Sequence, residues 1–336
     1  MTETIHITVV VPTFNREYLL RQTLASLKQQ NLSSCEFLIV DDGSNVSTVA
    51  VITEFADSDR RFRLIEKPPT LPRGPQSSRN LGLWHAVADY IMFLDSDDLL
   101  SPTCLQTRWE AIKNSDNADI HVFPQVMFQE CGKGAEDLKL VNVVSGENEL
   151  DRFLAFAWPV DVPWLNGAVL IRVESLRSTG IQWSEQFFWD DLVFHFQCIA
   201  TGLSVCWHSN RVADCFYRLY IHGENQGQKL HTLFGVTNTA EMCIWILDKM
   251  CETKTLTGRR RKRLAISFYH AVVLKAVDSR YPLFTMLMSG RIRIDRLVNK
   301  EESIRICLYV LMRYLLRPTR RGTYLWNRFC RKVLLR

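Results

Sequence analysis

The segment Tyr90-Ile91-Met92-Phe93-Leu94-Asp95-Ser96-Asp97-Asp98 is an apolar run that stops at three carboxylates. A run rich in Ile, Phe and Leu that ends at acids reads as a buried parallel strand, and ligands of open α/β sheets collect at the carboxyl ends of such strands. Carboxylates this close repel one another in a partly dry cleft unless a cation offsets them. Hard oxygen ligands on a divalent ion that also holds phosphates describe Mg2+ or Mn2+, so the stretch reads as an Asp-x-Asp site for a metal and a diphosphate. The competing reading is a solvated loop whose aspartates cap the next helix, with Asp98, ahead of Leu99-Leu100-Ser101-Pro102, best placed for that role.

Upstream, the β-branched strand Ile5 to Val11 ends at Pro12-Thr13-Phe14-Asn15-Arg16, after which Tyr18, Leu19, Leu20, Leu24 and Leu27 recur at helical spacing. A second strand, Glu36 to Val40, ends at Asp41-Asp42-Gly43-Ser44, whose turn residues open a helix through about Phe55. A third, Phe62 to Glu66, enters the loop from Lys67 to Pro75, which is too rich in proline for regular structure and is free to move as a flap. A helix from Ser77 then returns the chain to the strand at 90–94. Such alternation predicts a mostly parallel sheet with helices on both faces. No Gly-x-Gly-x-x-Gly follows the first strand and no Gly-x4-Gly-Lys-Ser/Thr occurs anywhere, which excludes a dinucleotide fingerprint and a P-loop. Phosphate charge is left to a metal together with Arg or His.

Downstream, the pattern predicts a helix over about Thr103 to Asn114, a strand near Asp119 to Phe123 and irregular polar sequence to about Glu149. A strand over Leu165 to Ile171 and a short helix over Val173 to Ser178 follow. In Phe187-Phe188-Trp189-Asp190-Asp191-Leu192, aromatics meet two acids at the head of a helix. The acids there are either a simple response to the helix dipole or, desolvated by Trp and Phe, carboxylates of raised proton affinity suited to a general base. A strand over Ser204 to His208 and the segment Cys215 to Asn225 close the body. Tyr217, Arg218 and His222 in that segment are donors or potential metal ligands, although a lone His is more often structural.

Five segments in order, Val9-Val10-Val11-Pro12-Thr13-Phe14-Asn15-Arg16, Leu38-Ile39-Val40-Asp41-Asp42-Gly43-Ser44, Ser78-Arg79-Asn80-x-Gly82, Phe93-Leu94-Asp95-Ser96-Asp97-Asp98 and Trp189-Asp190-Asp191, resemble the family 2 glycosyltransferases over about residues 5–225. The resemblance implies an α/β GT-A fold, Rossmann-like, with a mostly parallel mixed sheet, and inverting transfer of a sugar from a nucleotide diphosphate. It places Pro12, Thr13, Asn15 and Arg16 around the nucleotide, Asp41 on the base (usually uracil) and Arg79 near the diphosphate or donor sugar. Asp95, with Ser96 beside it, is implied as the ribose or sugar contact, Asp97 as the ligand of Mn2+ or Mg2+, and His222 as the late His that joins the metal or the diphosphate. Asp191 matches the family's catalytic base; Asp190 stands where Glu is usual, which shortens that side chain. Ser78 replaces the usual small residue before Arg-Asn. Trp189 and Asp190 are expected on the acceptor side, Trp189 either stacking on a sugar or packing in the core. Inverting displacement needs a base for the acceptor hydroxyl and, separately, charge relief for the departing diphosphate, so two acidic clusters are required; Asp191 and Asp97 supply one each.

At 336 residues the chain can bury a large core, and its length suggests two domains. Its ten cysteines lack paired short spacings, matching neither a zinc motif nor a disulfide scaffold, and a reducing cytosol is the expected home. Met1 to Thr4 lead straight into a strand, without the marks of a secretion signal, and no run of about 18 apolar residues appears. The net charge of +5 is divided: residues 1–228 hold 18 Lys+Arg against 29 Asp+Glu, residues 229–336 hold 23 against 7. The expected domains are therefore a glycosyltransferase domain over 1–228 (a nucleotide-sugar half to about 100, an acceptor half from 101) and a basic helical region over 229–336.

In that region apolar stretches alternate with cations, Arg259-Arg260-Arg261-Lys262-Arg263 first, with Tyr309, Tyr314, Tyr324, Trp326 and Phe329 among them. Helices of this kind lie in the interface of anionic membranes. The expectation is a peripheral protein on the inner face of the cell membrane, acting on a glycan or lipid-linked acceptor with a UDP-sugar as the favoured donor; no nucleic-acid module accompanies the cations. The alternatives are a solvated helical subdomain, a catalytically silent membrane-bound scaffold, and a nucleotidyltransferase, which would want a Gly-rich, Lys-bearing first loop where Pro12-Thr13-Phe14-Asn15-Arg16 stands.

Overall fold

A computed structural model describes residues 4–129, 139–141, 149–156, 164–187, 189–209, 211–219 and 232–268. In chain order the elements are β1 (Ile7–Thr13), α1 (Glu17–Lys28), β2 (Cys35–Asp41), α2 (Val46–Ser58), β3 (Phe62–Glu66), α3 (Pro75–His85), β4 (Tyr90–Phe93), β5 (Leu99–Leu100), α4 (Cys104–Lys113), β6 (Ile120–Val122), β7 (Gln125–Gln129) and β8 (Lys139–Val141). They continue with α5 (Glu149–Phe156), β9 (Val169–Arg172), α6 (Val173–Thr179), α7 (Asp190–Ala200), β10 (Val205–Trp207), β11 (Cys215–Leu219), α8 (Leu233–Glu252) and α9 (Gly258–Phe268). The chain forms two compact units. One comprises Met1–Gly146, Pro163–Gln186 and Gln197–Gly223, the other Glu147–Val162, Phe187–Phe196 and Glu224–Arg336.

The first unit is built on a seven-stranded sheet of order β10-β6-β9-β4-β1-β2-β3. β1 runs parallel to both β2 and β4, and β2 to β3, while β9 lies antiparallel between β4 and β6. This is the mixed, mostly parallel α/β sheet that the alternating pattern predicts. β1, β2 and β4 are buried along their whole length, as strands covered on both faces must be. α1 turns Leu20, Leu24 and Leu27 inward. α3 approaches β1 so closely that a Cβ on Gly82 would stand 2.3 Å from Val10 Cγ1. Gly82→Ala is therefore expected to lower the melting temperature, overpacking at about 1–3 kcal/mol outweighing the roughly 1 kcal/mol of helix propensity gained. An unchanged or raised melting temperature would show that α3 can shift away from Val10.

Two stretches depart from the sequence pattern. Residues 125–129 and 139–141, read as irregular, are β7 and β8 of a second, four-stranded sheet of order β5-β11-β7-β8. β7 pairs on one side with the three-residue β8 and on the other with β11, some ninety residues away, and that second pairing leaves no local trace. Asn166–Ala168, read as strand, is a 3-10 turn before β9, and Gly167 there packs against Cys215 Sγ, which a Cβ would meet at 2.5 Å.

In the second unit α8 buries Val236, Ala240, Cys243, Ile246, Leu247 and Met250 at helical spacing. Phe187 and Phe196 pack on Trp245, with ring centroids 5.6 and 6.0 Å away, and Phe153 of α5 lies against Phe196. Part of the basic run in α9 is already paired. Arg260 Nε and Nη2 donate to Asp151 at 3.0 and 3.1 Å, and Arg263 Nη1 donates to the Asp151 carbonyl at 2.8 Å. The remainder of the basic region expected to meet a membrane, residues 269–336, lies outside the described residues. Among the described residues no helix is long and apolar enough to cross a bilayer.

Candidate active site

The carboxyl ends of β4, β1 and β2 are neighbours in the sheet, and the loops that leave them carry Asp95 to Asp98, Phe14 to Arg16, and Asp42 to Asn45. Parallel pairing puts these ends on one edge, and hydrogen bonds stitch the loops together. Leu94 N donates to Val10 O at 3.0 Å and Asp42 N to Thr13 O at 3.0 Å. Asn15 adopts a left-handed φ of 50°, tolerable for Asn, which lets its Oδ1 accept from Asn45 N at 2.8 Å while its own N–H reaches Ser44 Oγ at 3.0 Å.

Asp41 ends β2 with one carboxylate oxygen committed and one not. Its Oδ2 accepts from Gly43 N at 3.1 Å and Ser44 N at 3.0 Å; its Oδ1 is buried with no hydrogen-bond partner among the described residues, and the same is true of Thr13 Oγ1. Such orphaned acceptors are unusual enough to require an explanation, and a ligand donor is one. Next to it Asp42 anchors the proline-rich loop. Lys67 Nζ, 2% exposed, lies 2.6 Å from Asp42 Oδ1, Gly74 N donates to Oδ2 at 2.7 Å, and Arg73 Nη1 donates to the Asp42 carbonyl at 2.7 Å.

Around the acidic loop each carboxylate faces a different arginine. Arg79, buried on α3, donates from Nη2 to Asp95 Oδ1 at 2.7 Å while its guanidinium lies over the Trp183 ring at 4.4 Å. Arg16 Nη1 donates to Asp97 Oδ2. Asp98, 1% exposed, accepts the backbone N–H of Arg218 at 3.1 Å. Arg218 also donates from Nε to the Asp97 carbonyl at 2.9 Å and from Nη2 to Gln22 Oε1 at 2.7 Å. Burial first, then the charges of Asp95 and Asp97, push the Asp98 carboxyl well above the usual carboxylate range. Asp98 does not cap the next helix: the N-cap of α4 is Thr103, which makes no side-chain cap bond. It fastens the acidic loop to β11 instead.

Pro12, Thr13, Asn15, Arg16, Asp41, Arg79, Asp95, Ser96 and Asp97 thus all belong to the first unit and to its β1, β2, α3 and β4 ends. Trp189, Asp190 and Asp191 belong to the second unit. There both acids sit in the first turn of α7, where the helix dipole favours them; Asp191 Oδ1 accepts from Leu192 N at 2.8 Å, and Trp189 Nε1 donates to Thr239 Oγ1 at 3.2 Å. Trp189, Asp190 and Asp191 are all half-buried. His222 lies outside the described residues. Sequence reading missed Trp183 and Gln22, which a linear pattern does not distinguish from ordinary packing residues, and it left Arg218 without a partner.

Residues 8–156 match the family model described as glycosyl transferase family 2. The chain is 37% identical over 95 residues to an uncharacterized glycosyltransferase of Haemophilus influenzae, covering 28% of this chain and 37% of that protein. It is 29% identical over 126 residues to the GalNAc(5)-diNAcBac-PP-undecaprenol beta-1,3-glucosyltransferase of Campylobacter jejuni, covering 38% of this chain and 40% of that one. The chain therefore spans less than half the length of these curated relatives. Among solved structures it is similar to S. aureus TarS 1-349 in complex with UDP-GlcNAc, with a TM-score of 0.64 at 17% identity over 92% of this chain and 88% of the other. It is also similar to the mannosyltransferase PcManGT from Pyrobaculum calidifontis in complex with GDP-Man and Mn2+, with a TM-score of 0.51 at 14% identity over 95% and 89%. At these identities the likeness is one of fold.

Proposed function

Because residues 8–156 match the glycosyl transferase family 2 model and the fold is shared with solved glycosyltransferase structures, we propose that the chain is a family 2 glycosyltransferase that transfers a sugar from a nucleoside-diphosphate donor, UDP-sugar favoured, to a glycan or lipid-linked acceptor with inversion at the anomeric carbon. The observation that carries the donor half of this reading is the buried Asp41 Oδ1 at the end of β2, which has no hydrogen-bond partner among the described residues. An imide N–H of uracil is a donor suited to it, and Asn15 and Thr13 flank the same strand ends. The solved neighbour with UDP-GlcNAc is consistent with that choice of nucleotide.

Asp97 and the diphosphate oxygens make a hard donor set suited to Mg2+ or Mn2+, with His222 as a further ligand candidate. A divalent cation held there supplies charge neutralisation for the departing diphosphate. Arg79, oriented by Asp95 and by the Trp183 face, is assigned to the diphosphate or donor sugar. Arg16, whose Nη1 donates to Asp97 Oδ2, is assigned to the nucleotide beside the cation that Asp97 would hold. Asp191 is assigned as the base that removes the acceptor hydroxyl proton, and Trp189 and Asp190 as acceptor contacts. The glycosyltransferase domain is assigned to 1–228, and the basic region over 229–336 to an anionic membrane surface at the cytoplasmic face. If that last assignment holds, the full chain co-sediments with vesicles containing anionic lipid at low salt and not with neutral ones; equal behaviour on both removes it.

The donor is tested by melting the protein against a panel of nucleotide sugars with Mn2+ or Mg2+. A ligand held at a hundred times its Kd adds about 2.7 kcal/mol of stability. UDP-sugars are expected to raise the melting temperature only with the metal present. No response to any member of the panel would overturn the reading.

A further inference from the structure

The edge pair β6 and β10 brings together three side chains that the transfer reaction does not use. Their parallel register sets Cys206 opposite His121. His208 follows Cys206 by two residues, hence points to the same face, and its N–H continues the ladder to Val122 O at 2.9 Å. One ligand atom from each of the three lies within 4.8 Å of the others. His121 Nδ1 and His208 Nε2 are 3.1 Å apart. Two imidazole lone pairs that face each other need either a shared proton or a shared cation. A tetrahedral ion with bonds of about 2.0–2.1 Å holds two nitrogens about 3.3 Å apart, so a small turn of the rings admits one.

We propose that His121, Cys206 and His208 form a zinc-class metal site that clamps the edge strand β10 to β6. Two imidazoles and a thiolate are borderline-soft donors that suit Zn2+, unlike the oxygen donors of Asp95 and Asp97, so the site takes a different ion from the one assigned to the diphosphate. The rings are already oriented. His208 stacks on Phe123 at 4.4 Å and 5°, and His121, fully buried, meets Tyr90 edge-on at 5.6 Å. Burial first, then Arg211 and Arg108, disfavour positive charge at His208, and a Cys206 thiolate supplies negative charge to offset the ion. On binding, the Cys206 thiol gives its proton to bulk water and becomes the third ligand. The fourth position belongs to water, since Cys206 and His208 are half-exposed. Cysteine spacing alone conceals the set because two ligands are histidines and His121 stands on another strand.

The test uses the full chain, stripped with a chelator and then loaded with Zn2+ or Co2+. The expected result is one equivalent of Zn2+ retained per chain, a rise in melting temperature, and in the cobalt form a tetrahedral visible spectrum with thiolate-to-cobalt charge transfer. Cys206→Ser and, separately, His208→Gln should each weaken Zn2+ binding by at least about tenfold, the first also removing the charge-transfer band. Comparing the metal-free melting of each variant with metal-free wild type separates loss of the site from loss of the fold. Asp97→Asn should retain the zinc. Absence of retained Zn2+ in wild type, or a cobalt spectrum indifferent to Cys206→Ser, would overturn the proposal.

Discussion

Asp97→Asn is expected to lower kcat/KM by on the order of 10²–10³-fold and to abolish the dependence of donor binding on Mn2+ or Mg2+. The size follows from the several kcal/mol that a Lewis acid contributes to a departing diphosphate, at about 1.4 kcal/mol per factor of ten. The substitution keeps the shape of the side chain and removes the charge that a cation requires. It also weakens the hold on Arg16, whose Nη1 donates to Asp97 Oδ2. Melting curves with UDP and metal, taken together and separately, provide the check. In wild type the pair should stabilise more than the sum of its parts, because a cation held by Asp97 would offset the charge of the diphosphate. In Asp97→Asn the two effects should become additive. A variant whose metal response equals that of wild type would remove Asp97 from the cation site.

Asp191→Asn carries the second large effect. General-base catalysis contributes about 10²–10⁴-fold, and the loss should fall on kcat, with donor affinity and melting temperature near those of wild type. The fold is expected to tolerate the change because an Asn carbonyl can still accept the bond that Leu192 N makes to Asp191 Oδ1 at 2.8 Å. The same variant separates catalysis from a silent scaffold: transfer and Mn2+-dependent donor hydrolysis are measured side by side, and equal rates in both proteins would strip Asp191 of its role. Asp190→Asn serves as the neighbouring control, expected to act on acceptor KM rather than on kcat.

The α/β alternation was legible because β1, β2 and β4 are covered on both faces and so announce themselves as continuous apolar runs, with turn residues at their carboxyl ends. β1, β2 and β4 were found that way, and with them Asp41 and Asp95 to Asp98. β7 and β8 were not: β8, the near partner of β7, spans three residues, and the other partner, β11, lies some ninety residues away. Asp98 shows the same limit from the other side. Its sequence context suits a helix cap, but its burial and its bond to Arg218 N make it a tie to β11. A cap is a local interaction that a sequence displays, whereas a tie depends on where a distant strand arrives.

The order of the apolar runs and the residues that end them were sufficient, by themselves, to give the fold class and the polar motifs at the strand ends, since hydrophobic periodicity and strand-end chemistry are short-range properties of the chain. Tertiary structure alone decided which arginine faces which aspartate, that Asp41 buries one oxygen without a partner among the described residues, and that His121, Cys206 and His208 share a sheet face. These depend on side chains from elements far apart in sequence meeting at distances of about 3 Å, where hydrogen bonding and charge are strong and a linear pattern carries no information.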